Sequence, residues 1–208
     1  RTDFENQGLP RHEWEQLLVE AMRRADAAGH WRFSAPKKYG GKDGSNLWMA
    51  VIREHFAAKG LGLHNDLQNE HSIVGNFPFV AMFEHFGTEE QQKEFIFGGF
   101  ERKRRVAFGL TEPDHGSDAT HMETRAVPEK RDGVDGWLIN GRKMWITGMH
   151  VATHCAMFCR TSGKDGDAKG ISCFLVPNPS PGMTIDEYMW TFNMPTDHPR
   201  MTITDVWV

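Results

Sequence analysis

The chain has 208 residues, of which 39% are hydrophobic and 25% are charged, which excludes disordered, collagen-like and coiled-coil classes. A length of 208 residues allows one large domain or two small ones. The net charge of −4 gives no bulk attraction for nucleic acid or an anionic membrane surface. No window approaches the roughly 20 apolar residues of a membrane span, and no apolar signal segment begins the chain, so we expect an unsecreted protein without a membrane span.

The two ends of the sequence suggest a piece of a longer protein. The chain begins with Arg1 rather than Met, and it stops at Val208 inside the β-rich run MTITDVWV. We therefore expect further sequence beyond residue 208.

A helical period governs residues 1–105. Pro10 opens a first amphipathic helix that Gly29 closes, and Ser45 is the predicted N-cap of a second that ends near Gly60. A third apolar stretch from Leu61 to Phe86 contains Pro78, which must break or bend it. A capping-box pair then opens a last helix, which two adjacent glycines are expected to stop; these residues are Thr88, Gln91, Gly98 and Gly99. The first domain, residues 1–105, is predicted to be an all-α helical bundle.

Short β-type runs separated by turn residues occupy residues 106–208. The runs are RVAFGLT, GWLIN, KMWIT, HCAMFC, ISCFLVP and RMTITDVWV. Asn140-Gly141, between WLI and KMWIT, is the strongest hairpin signal in the chain. This pattern predicts a second domain that is an antiparallel β-barrel or sandwich.

The spacing of the histidines and cysteines predicts neither a metal site nor a disulfide. The densest group, His150, His154, Cys155 and Cys159, matches no zinc spacing, so no metal is expected. On a strand the Cα atoms of Cys155 and Cys159 would lie about 13 Å apart, too far for a disulfide. The odd count of three cysteines favours free, partly buried thiols and a reducing compartment.

Several nucleotide and hydrolase motifs are absent from the sequence. No GxGxxG follows a strand, and neither a GxxxxGK[ST] loop nor a GxSxG elbow occurs. The basic run 102–105 has no interleaved aromatic residues and is interpreted as a solvated connector rather than a nucleic-acid site.

Two segments carry candidate chemistry. Residues 109–120 follow a strand and contain Pro, Gly and short polar side chains. Such a segment can bind a phosphate or the polar edge of a ring. It can equally be a tight loop whose side chains cap the local backbone. Residues 144–147 alternate so that Trp145 and Thr147 share one face. That pair suits a flat aromatic ligand, although a tryptophan in a strand is more often part of a core.

Together these two segments resemble the signatures of the acyl-CoA dehydrogenase family. Gly-Leu-Thr-Glu-Pro followed by Gly116-Ser117-Asp118 resembles the first flavin motif, and NGRKMWIT resembles the second, in the same order and spacing. Weaker resemblances, in APKKYGG, FGTEEQQKEF, KGISCFLVP and SPGMTI, extend over nearly the whole chain.

The resemblance implies a helical N-terminal domain, a β middle domain and a C-terminal helical domain that this chain lacks, with FAD as cofactor. Thr111 would lie near the flavin pyrimidine edge, Ser117 at the pyrophosphate and near the acyl-CoA, Trp145 against the ring system, and Thr147 at flavin N5. The implied FAD-contacting residues are Phe108, Leu110, Thr111, Gly116, Ser117, Trp145, Ile146 and Thr147.

The implied reaction is α,β-dehydrogenation of an acyl-CoA thioester, in which a carboxylate base removes the α-proton and flavin N5 accepts hydride. The family's base is a Glu of the C-terminal domain, so no carboxylate of this chain is assigned that role and the fragment alone is expected to be inactive. Glu112 and Asp118 are interpreted as structural. A flavin oxidase or monooxygenase of the same fold, and a catalytically silent scaffold, are the alternatives.

The first motif departs from its commonest form at Asp114 and His115, where many members carry Gly and a small residue. That departure weakens any inference about acyl length, and His115 is interpreted as a surface side chain. The resemblance also implies an electron-transfer flavoprotein partner and a homodimer or homotetramer. The expected location is the cytoplasm of a bacterium, or the mitochondrial or peroxisomal matrix of a eukaryote.

Overall fold

A computed structural model describes residues 2–59, 73–191 and 197–208. These residues form two compact units, one from residues 10–104 and one from residues 2–9 together with 105–208. The predicted fold class is confirmed, since helices come first and a β-sheet follows. The domain limits 1–105 and 106–208 stay a prediction, because packing alone does not show independent folding. No helix within the described ranges is long and apolar enough to cross a bilayer.

The first helices begin close to their predicted positions. Two short strands, β1 (Thr2–Asp3) and β2 (Leu9–Pro10), precede α1 (His12–Ala27), so Pro10 lies just before the helix rather than in it. Gly29 follows α1 with a left-handed φ of 73°. The predicted cap of α2 (Asn46–Ala57) is confirmed, because the Ser45 hydroxyl accepts a hydrogen bond from the Trp48 amide. Gly60 and the part of the third apolar stretch up to residue 72 lie outside the described residues.

The later helical residues correct one prediction. Pro78 breaks the third apolar stretch, as predicted, because α3 (Pro78–Phe86) begins at this residue, where its missing N–H is harmless. The capping box of Thr88 and Gln91 is confirmed. The predicted stop at Gly98-Gly99 is wrong, because the helical stretch α4 runs through Glu89–Gln91, a π-helical Gln92–Phe97 and Gly98–Phe100. Gly98 serves close packing instead, since a Cβ there would lie 2.7 Å from Arg104 Cγ.

The second unit is built on a seven-stranded mixed sheet. Its strands are β3 (Val106–Gly109), β4 (Arg125–Arg131), β5 (Val134–Met144), β6 (His154–Arg160), β7 (Ile171–Pro177), β8 (Met183–Tyr188) and β9 (Pro199–Trp207). Their order is β3-β6-β4-β5-β9-β8, and β7 pairs with β6. The sheet is mixed rather than wholly antiparallel, because β3 runs parallel to β6.

The predicted Asn140-Gly141 hairpin is wrong. The two runs WLIN and GRKM form one continuous strand, β5, whose register against β9 shifts between Ile139 and Gly141. The hairpin lies instead at Asp132-Gly133, where both residues have positive φ between β4 and β5. Gly141 serves a close approach, since a Cβ there would lie 2.4 Å from Thr124 Oγ1.

The core of the sheet unit comes mainly from β6, β9 and the segment that follows β5. Ile139, Met157 and Val206 are among its fully buried members. HCAMFC forms strand β6, as predicted, and the three cysteines are free. Burial raises the pKa of Cys155 and of Cys159 to about 12, so these thiols act as core side chains.

Candidate functional site

The two motif segments meet at the exits of β3 and β5. The Thr111 carbonyl accepts a 2.9 Å hydrogen bond from the Met144 amide, and the Leu110 carbonyl accepts one of 3.1 Å from Lys143 Nζ. Arg142 and Asp114 add an exposed ion pair of 3.6 Å. Residues 28 to 33 positions apart in sequence are therefore joined by backbone, side chain and charge.

A buried ion pair lies beneath this junction. Lys143 is fully buried and its Nζ lies 2.9 Å from Glu112 Oε1. The other contacts of Glu112 are backbone amides, since it accepts from Thr124 at 3.0 Å and from Glu123 at 2.5 Å. Burial alone would raise the pKa of Glu112, but the Lys143 charge and these hydrogen bonds outweigh it, so the pKa lies below its ordinary value. The contacts agree with the structural role predicted for Glu112.

The rest of the first motif forms an exposed loop after Glu112. Gly116 and Ser117 are exposed, and a Cβ at Gly116 would meet nothing within 4 Å. Asp118 accepts hydrogen bonds from the Thr120 hydroxyl at 2.6 Å and contacts His121 Nδ1 at 2.5 Å, which agrees with its predicted local role. These contacts leave the Gly116-Ser117 backbone open to a ligand.

His115 is more enclosed than predicted. Its side chain is 24% exposed, its Nε2 lies 3.5 Å from Glu123 Oε1, and its ring stacks on His121 at 6.1 Å. The prediction of a surface side chain is therefore only partly right, because the neighbouring ring and carboxylate cover it.

Exposed aromatic and hydroxyl groups follow the junction on both segments. Phe108 is 45% exposed in β3 and packs against Phe158, with ring centroids 4.9 Å apart. Trp145 is 41% exposed and has a φ of 61°, a left-handed conformation that a bulky side chain rarely adopts. Ile146 is fully buried and Thr147 is exposed. Trp145 lies just beyond the end of β5, so the predicted strand KMWIT ends at Met144.

The Thr147 hydroxyl has a neighbour that the motifs did not indicate. Thr147 Oγ1 lies 2.9 Å from His198 Nδ1, and His198 Nε2 lies 3.2 Å from a carboxylate oxygen of Asp197. The Asp197 side chain is 3% exposed and that of His198 is 22% exposed. The loop before β9 therefore contributes to this region together with the two motifs.

The structure brings some of the predicted site residues together and leaves others apart. Leu110 and Thr111 adjoin the segment that carries Trp145, Ile146 and Thr147, and Phe108 lies just before them in β3. Gly116 and Ser117 lie further along the exposed loop, without a hydrogen bond to the second motif among those described. Sequence reasoning missed Lys143 and His198. Lys143 lies inside the second motif, but nothing in the pattern indicates its burial, and His198 lies far from both motifs in sequence.

Metal-ligating groups and a surface pocket were compared with the two motifs over the described residues. Among the described residues no group of three or more His, Cys, Asp or Glu side chains is arranged to hold a metal ion. A surface pocket of about 490 Å³ lies on the β4–β5 hairpin and contains none of the predicted site residues; Pro128, Glu129, Lys130, Asp135, Gly136 and Trp137 line it.

Family models match both halves of the chain. Residues 4–98 match the acyl-CoA dehydrogenase N-terminal domain, and residues 107–206 match the acyl-CoA dehydrogenase middle domain. The two matches leave only the chain ends and a short junction uncovered.

Individual relatives agree with these matches. The chain is 31% identical to the caffeyl-CoA reductase-Etf complex subunit CarC of Acetobacterium woodii, over 83% of the chain and 42% of that protein. A putative acyl-CoA dehydrogenase from Mycobacterium abscessus has a TM-score of 0.73 at 27% identity, over 92% of the chain and 46% of that structure. An acyl-CoA dehydrogenase from Bacillus anthracis, solved in complex with FAD, has a TM-score of 0.65 at 24% identity, over 95% of the chain and 32% of that structure, and shows likeness of fold alone. The chain spans about two-fifths of the length of the first curated relatives that it matches.

Proposed function

Because the chain belongs to the acyl-CoA dehydrogenase family and comprises its N-terminal and middle domains, we propose that it holds FAD and serves α,β-dehydrogenation of an acyl-CoA thioester. The observation that carries this proposal is the junction of the two motifs. Hydrogen bonds from Lys143 and Met144 to the carbonyls of Leu110 and Thr111 fix the first segment against the second. The exposed Trp145 and Thr147 follow directly from that fixed point.

The residues present suit a flavin. Exposed aromatic surface on Phe108 and Trp145 offers apolar contact to a flat ring, and the left-handed backbone at Trp145 is the kind of outlier that clusters at ligand sites. Thr111 and Thr147 offer hydroxyls for ring-edge atoms. The open backbone at Gly116-Ser117 suits a pyrophosphate, since a Cβ at Gly116 meets nothing within 4 Å. When bound, FAD would supply the acceptor of the hydride.

Within this proposal the residues of the chain bind and orient rather than transfer protons. Trp145 packs against the ring system, Ile146 contributes backbone to the same wall, and Thr147 holds N5 by a hydrogen bond. Leu110 and Thr111 contact the pyrimidine side, and Ser117 binds the pyrophosphate and borders the acyl-CoA. Glu112 is paired with Lys143 and Asp118 with His121, so neither of these two motif carboxylates is proposed as the base.

The proposed partner is an electron-transfer flavoprotein, and the proposed assembly of the full-length protein is a homodimer or homotetramer. The relative from Acetobacterium woodii is named as a subunit of a reductase–Etf complex, which supports that choice of acceptor. Because that relative is named a caffeyl-CoA reductase, a second candidate function is the reduction of an enoyl-CoA double bond at the same flavin.

Titration of the purified full-length apoprotein with FAD tests the proposal. We expect a stoichiometric flavin complex whose visible absorbance bleaches when an acyl-CoA is added without oxygen. Reduction by an external reductant followed by reoxidation with an enoyl-CoA, without any bleaching by the matching acyl-CoA, would favour the reductase. Rapid reoxidation of the reduced flavin by air would favour an oxidase. A protein that is colourless after unbound FAD has been removed would contradict the proposal and favour a scaffold.

A matched pair of variants links the result to the site. Trp145→Ala is expected to weaken FAD binding about twofold to tenfold, because aromatic contacts contribute roughly 0.5–1.5 kcal/mol. Trp48→Ala removes another exposed indole, 59% exposed on α2 and outside both motifs, and is expected to leave the affinity unchanged. Equal affinities for the two variants would show that the motif was assigned wrongly.

A further inference from the structure

A buried arginine is hydrogen-bonded to the end of the first motif. Arg160 is the last residue of β6, and its side chain is fully buried. Its two terminal nitrogens donate to four backbone carbonyls, those of Thr120 at 2.5 Å, Asp167 at 3.1 Å, Ser162 at 3.2 Å and Lys169 at 3.3 Å. A guanidinium only donates and a carbonyl only accepts, so the direction of each of these hydrogen bonds is fixed.

Carbonyl oxygens, rather than a buried carboxylate, hold the charge of Arg160 among the described residues. Its Nε is buried and has no hydrogen-bond partner in that part of the chain. The Oδ1 of Asp165 lies 3.7 Å from this nitrogen, but the Asp165 side chain is 60% exposed and also accepts a 2.9 Å hydrogen bond from Arg125. Burying an ion is costly, and an apolar side chain would avoid that cost but could not join carbonyls of separate segments. The contacts therefore indicate that Arg160 serves to join these segments.

The four carbonyls belong to two segments that are apart in sequence. Thr120 ends the first motif, and the other three acceptors lie in the loop between β6 and β7, residues 161–170. This loop also contacts the motif directly, because the Gly166 amide donates to the Thr120 carbonyl at 2.9 Å. A Cβ at Gly166 would lie 2.9 Å from His121 Nε2, so the two segments are closely packed. Arg160 thus joins the end of the first motif to the β6–β7 loop.

The hydroxyl of Thr120 links Arg160 to the open part of the motif. It donates to Asp118 Oδ1 at 2.6 Å, and Asp118 directly follows Ser117. Hydrogen bonds from Thr120 and then His121 hold the pKa of Asp118 below its ordinary value, so this carboxylate is an ionised acceptor at neutral pH. Arg160 is therefore connected to the backbone at Ser117 through one carbonyl, one hydroxyl and one carboxylate.

We propose that Arg160 is a positioning residue of the flavin site, which holds the Gly116-Ser117 backbone in the conformation that receives the FAD pyrophosphate. This inference rests on the proposed function, because it takes Gly116-Ser117 as the pyrophosphate contact. None of the hydrogen bonds described for the Arg160 side chain reaches the second motif, which carries the proposed ring contacts. Loss of Arg160 should therefore lower the affinity for FAD without altering the properties of the flavin ring.

FAD titration and redox potentiometry of the full-length protein test this role. Arg160→Met should weaken FAD binding about tenfold, which is the expected size for a lost hydrogen bond from a charged donor. The midpoint potential and visible spectrum of the flavin that still binds should keep their wild-type values, because the pyrophosphate is the same in oxidised and reduced FAD. Thr147→Val should instead change the spectrum and the potential, because its hydroxyl is proposed to bind N5.

Two variants separate the geometry of this arginine from its charge and from the general loss of a paired side chain. Arg160→Lys keeps the positive charge but cannot reproduce the planar set of donors, so its FAD affinity should resemble that of Arg160→Met. Arg32→Met is the matched control, since Arg32 is 27% exposed and pairs with Asp26 at 2.8 Å in the helical unit, outside both motifs. This control should leave the FAD affinity unchanged.

Thr120→Val tests the same connection while leaving the buried guanidinium in place, so it decides the question if Arg160→Met does not fold. It should weaken FAD binding about fivefold, because the hydrogen bond to Asp118 is lost. Arg160→Met should then have a smaller effect in the Thr120→Val background than alone, since both changes act on one path. Thr202→Val is the matched control, because its hydroxyl donates to the carboxylate of Asp186 at 2.9 Å outside both motifs, and it should leave the affinity unchanged.

The outcomes distinguish this inference from the proposed function. A wild-type protein that fails to bind FAD overturns both. If Thr147→Val changes the spectrum and potential but the Arg160 and Thr120 variants bind FAD as tightly as the wild type, the flavin assignment stands and the positioning role is wrong. An Arg160→Met variant that shifts the midpoint potential as much as Thr147→Val, or an Arg160→Lys variant with wild-type affinity, also overturns the positioning role.

Discussion

At the residue scale, a costly arrangement in the sheet unit is the burial of two opposite charges beneath the motif junction. Removing a charge from water costs several kcal/mol unless a partner and hydrogen bonds compensate. Lys143 reaches both the Leu110 carbonyl and Glu112, and Glu112 also accepts from two amides. The pair therefore fixes the backbone from which the proposed flavin contacts extend.

Replacing Lys143 by Met should lower the free energy of unfolding by about 3–5 kcal/mol at neutral pH, because Glu112 would remain buried without its countercharge. Chemical denaturation at pH 7 measures the loss. Lys130→Met is the matched control, since Lys130 forms an exposed pair with Asp135 at 3.1 Å and should cost less than about 1 kcal/mol. Similar losses in the two variants would contradict the interpretation.

The pH dependence of the same variant has a definite sign. The folded pKa of Glu112 is depressed in the wild type, so its stabilising contribution is present above the unfolded value of about 4.3 and is lost as the pH falls through the folded pKa. In Lys143→Met the attraction of the lysine charge is lost while burial and the two amide hydrogen bonds remain, so the pKa of Glu112 is higher than in the wild type and the carboxylate becomes neutral at a higher pH. We therefore expect the difference in stability between the two proteins to shrink from pH 7 to about pH 4, and a constant difference would show that the charge of Glu112 is not its source.

At the scale of elements, helix ends were easier to predict than strand connections. The caps at Ser45 and Thr88 depend on neighbouring residues alone and are confirmed. Gly98 and Gly141 carry the local signals of a helix stop and of a turn. At Gly98 the Arg104 side chain, six positions later, lies too close for a Cβ, and at Gly141 Thr124 of another segment does. Such contacts between distant segments leave no local pattern in the sequence.

Strand β4 was missed for a related reason. Its sequence RAVPEKR contains a proline and four charges, which argue against a strand in a sheet. Pro128 faces Trp137 of β5, and β4 meets β6 at a single position near Arg125. Most of β4 thus has one hydrogen-bonded neighbour, so the missing N–H of Pro128 is tolerated.

The close contact between Gly141 and Thr124 predicts the effect of adding a side chain at Gly141. Gly141→Ala places a Cβ 2.4 Å from Thr124 Oγ1 and 2.6 Å from its Cα, so the strand or residue 124 must move. We expect a loss of about 1–3 kcal/mol in the free energy of unfolding. Gly133→Asn is the control, because the hairpin turn is open around that Cβ and Asn tolerates a φ of 84°. A loss at Gly133 that equals the loss at Gly141 would show that contact with Thr124 is not the cause.

At the scale of the whole molecule, the described residues divide into units with separate cores. The sheet cluster around Ile139 and Met157 contains no residue of the helical unit, and the two helical clusters, around Met22 and around Phe100, contain none of the sheet. Each unit thus has hydrophobic clusters of its own among the described residues.

Hydrogen exchange measured by mass spectrometry tests whether these cores also open separately. Thr88→Ala removes the capping box of α4 and should lower the stability of that helix by about 1 kcal/mol. Amides of residues 89–100 that exchange through local opening of the helix should then exchange about fivefold faster. Amides of β5 should keep their wild-type rates, because their partners lie in β4 and β9. Thr88→Ser keeps the capping hydroxyl and should change neither segment. Equal acceleration in α4 and β5 would mean that the two units unfold as one, and the predicted division near residue 105 would then describe packing but not folding.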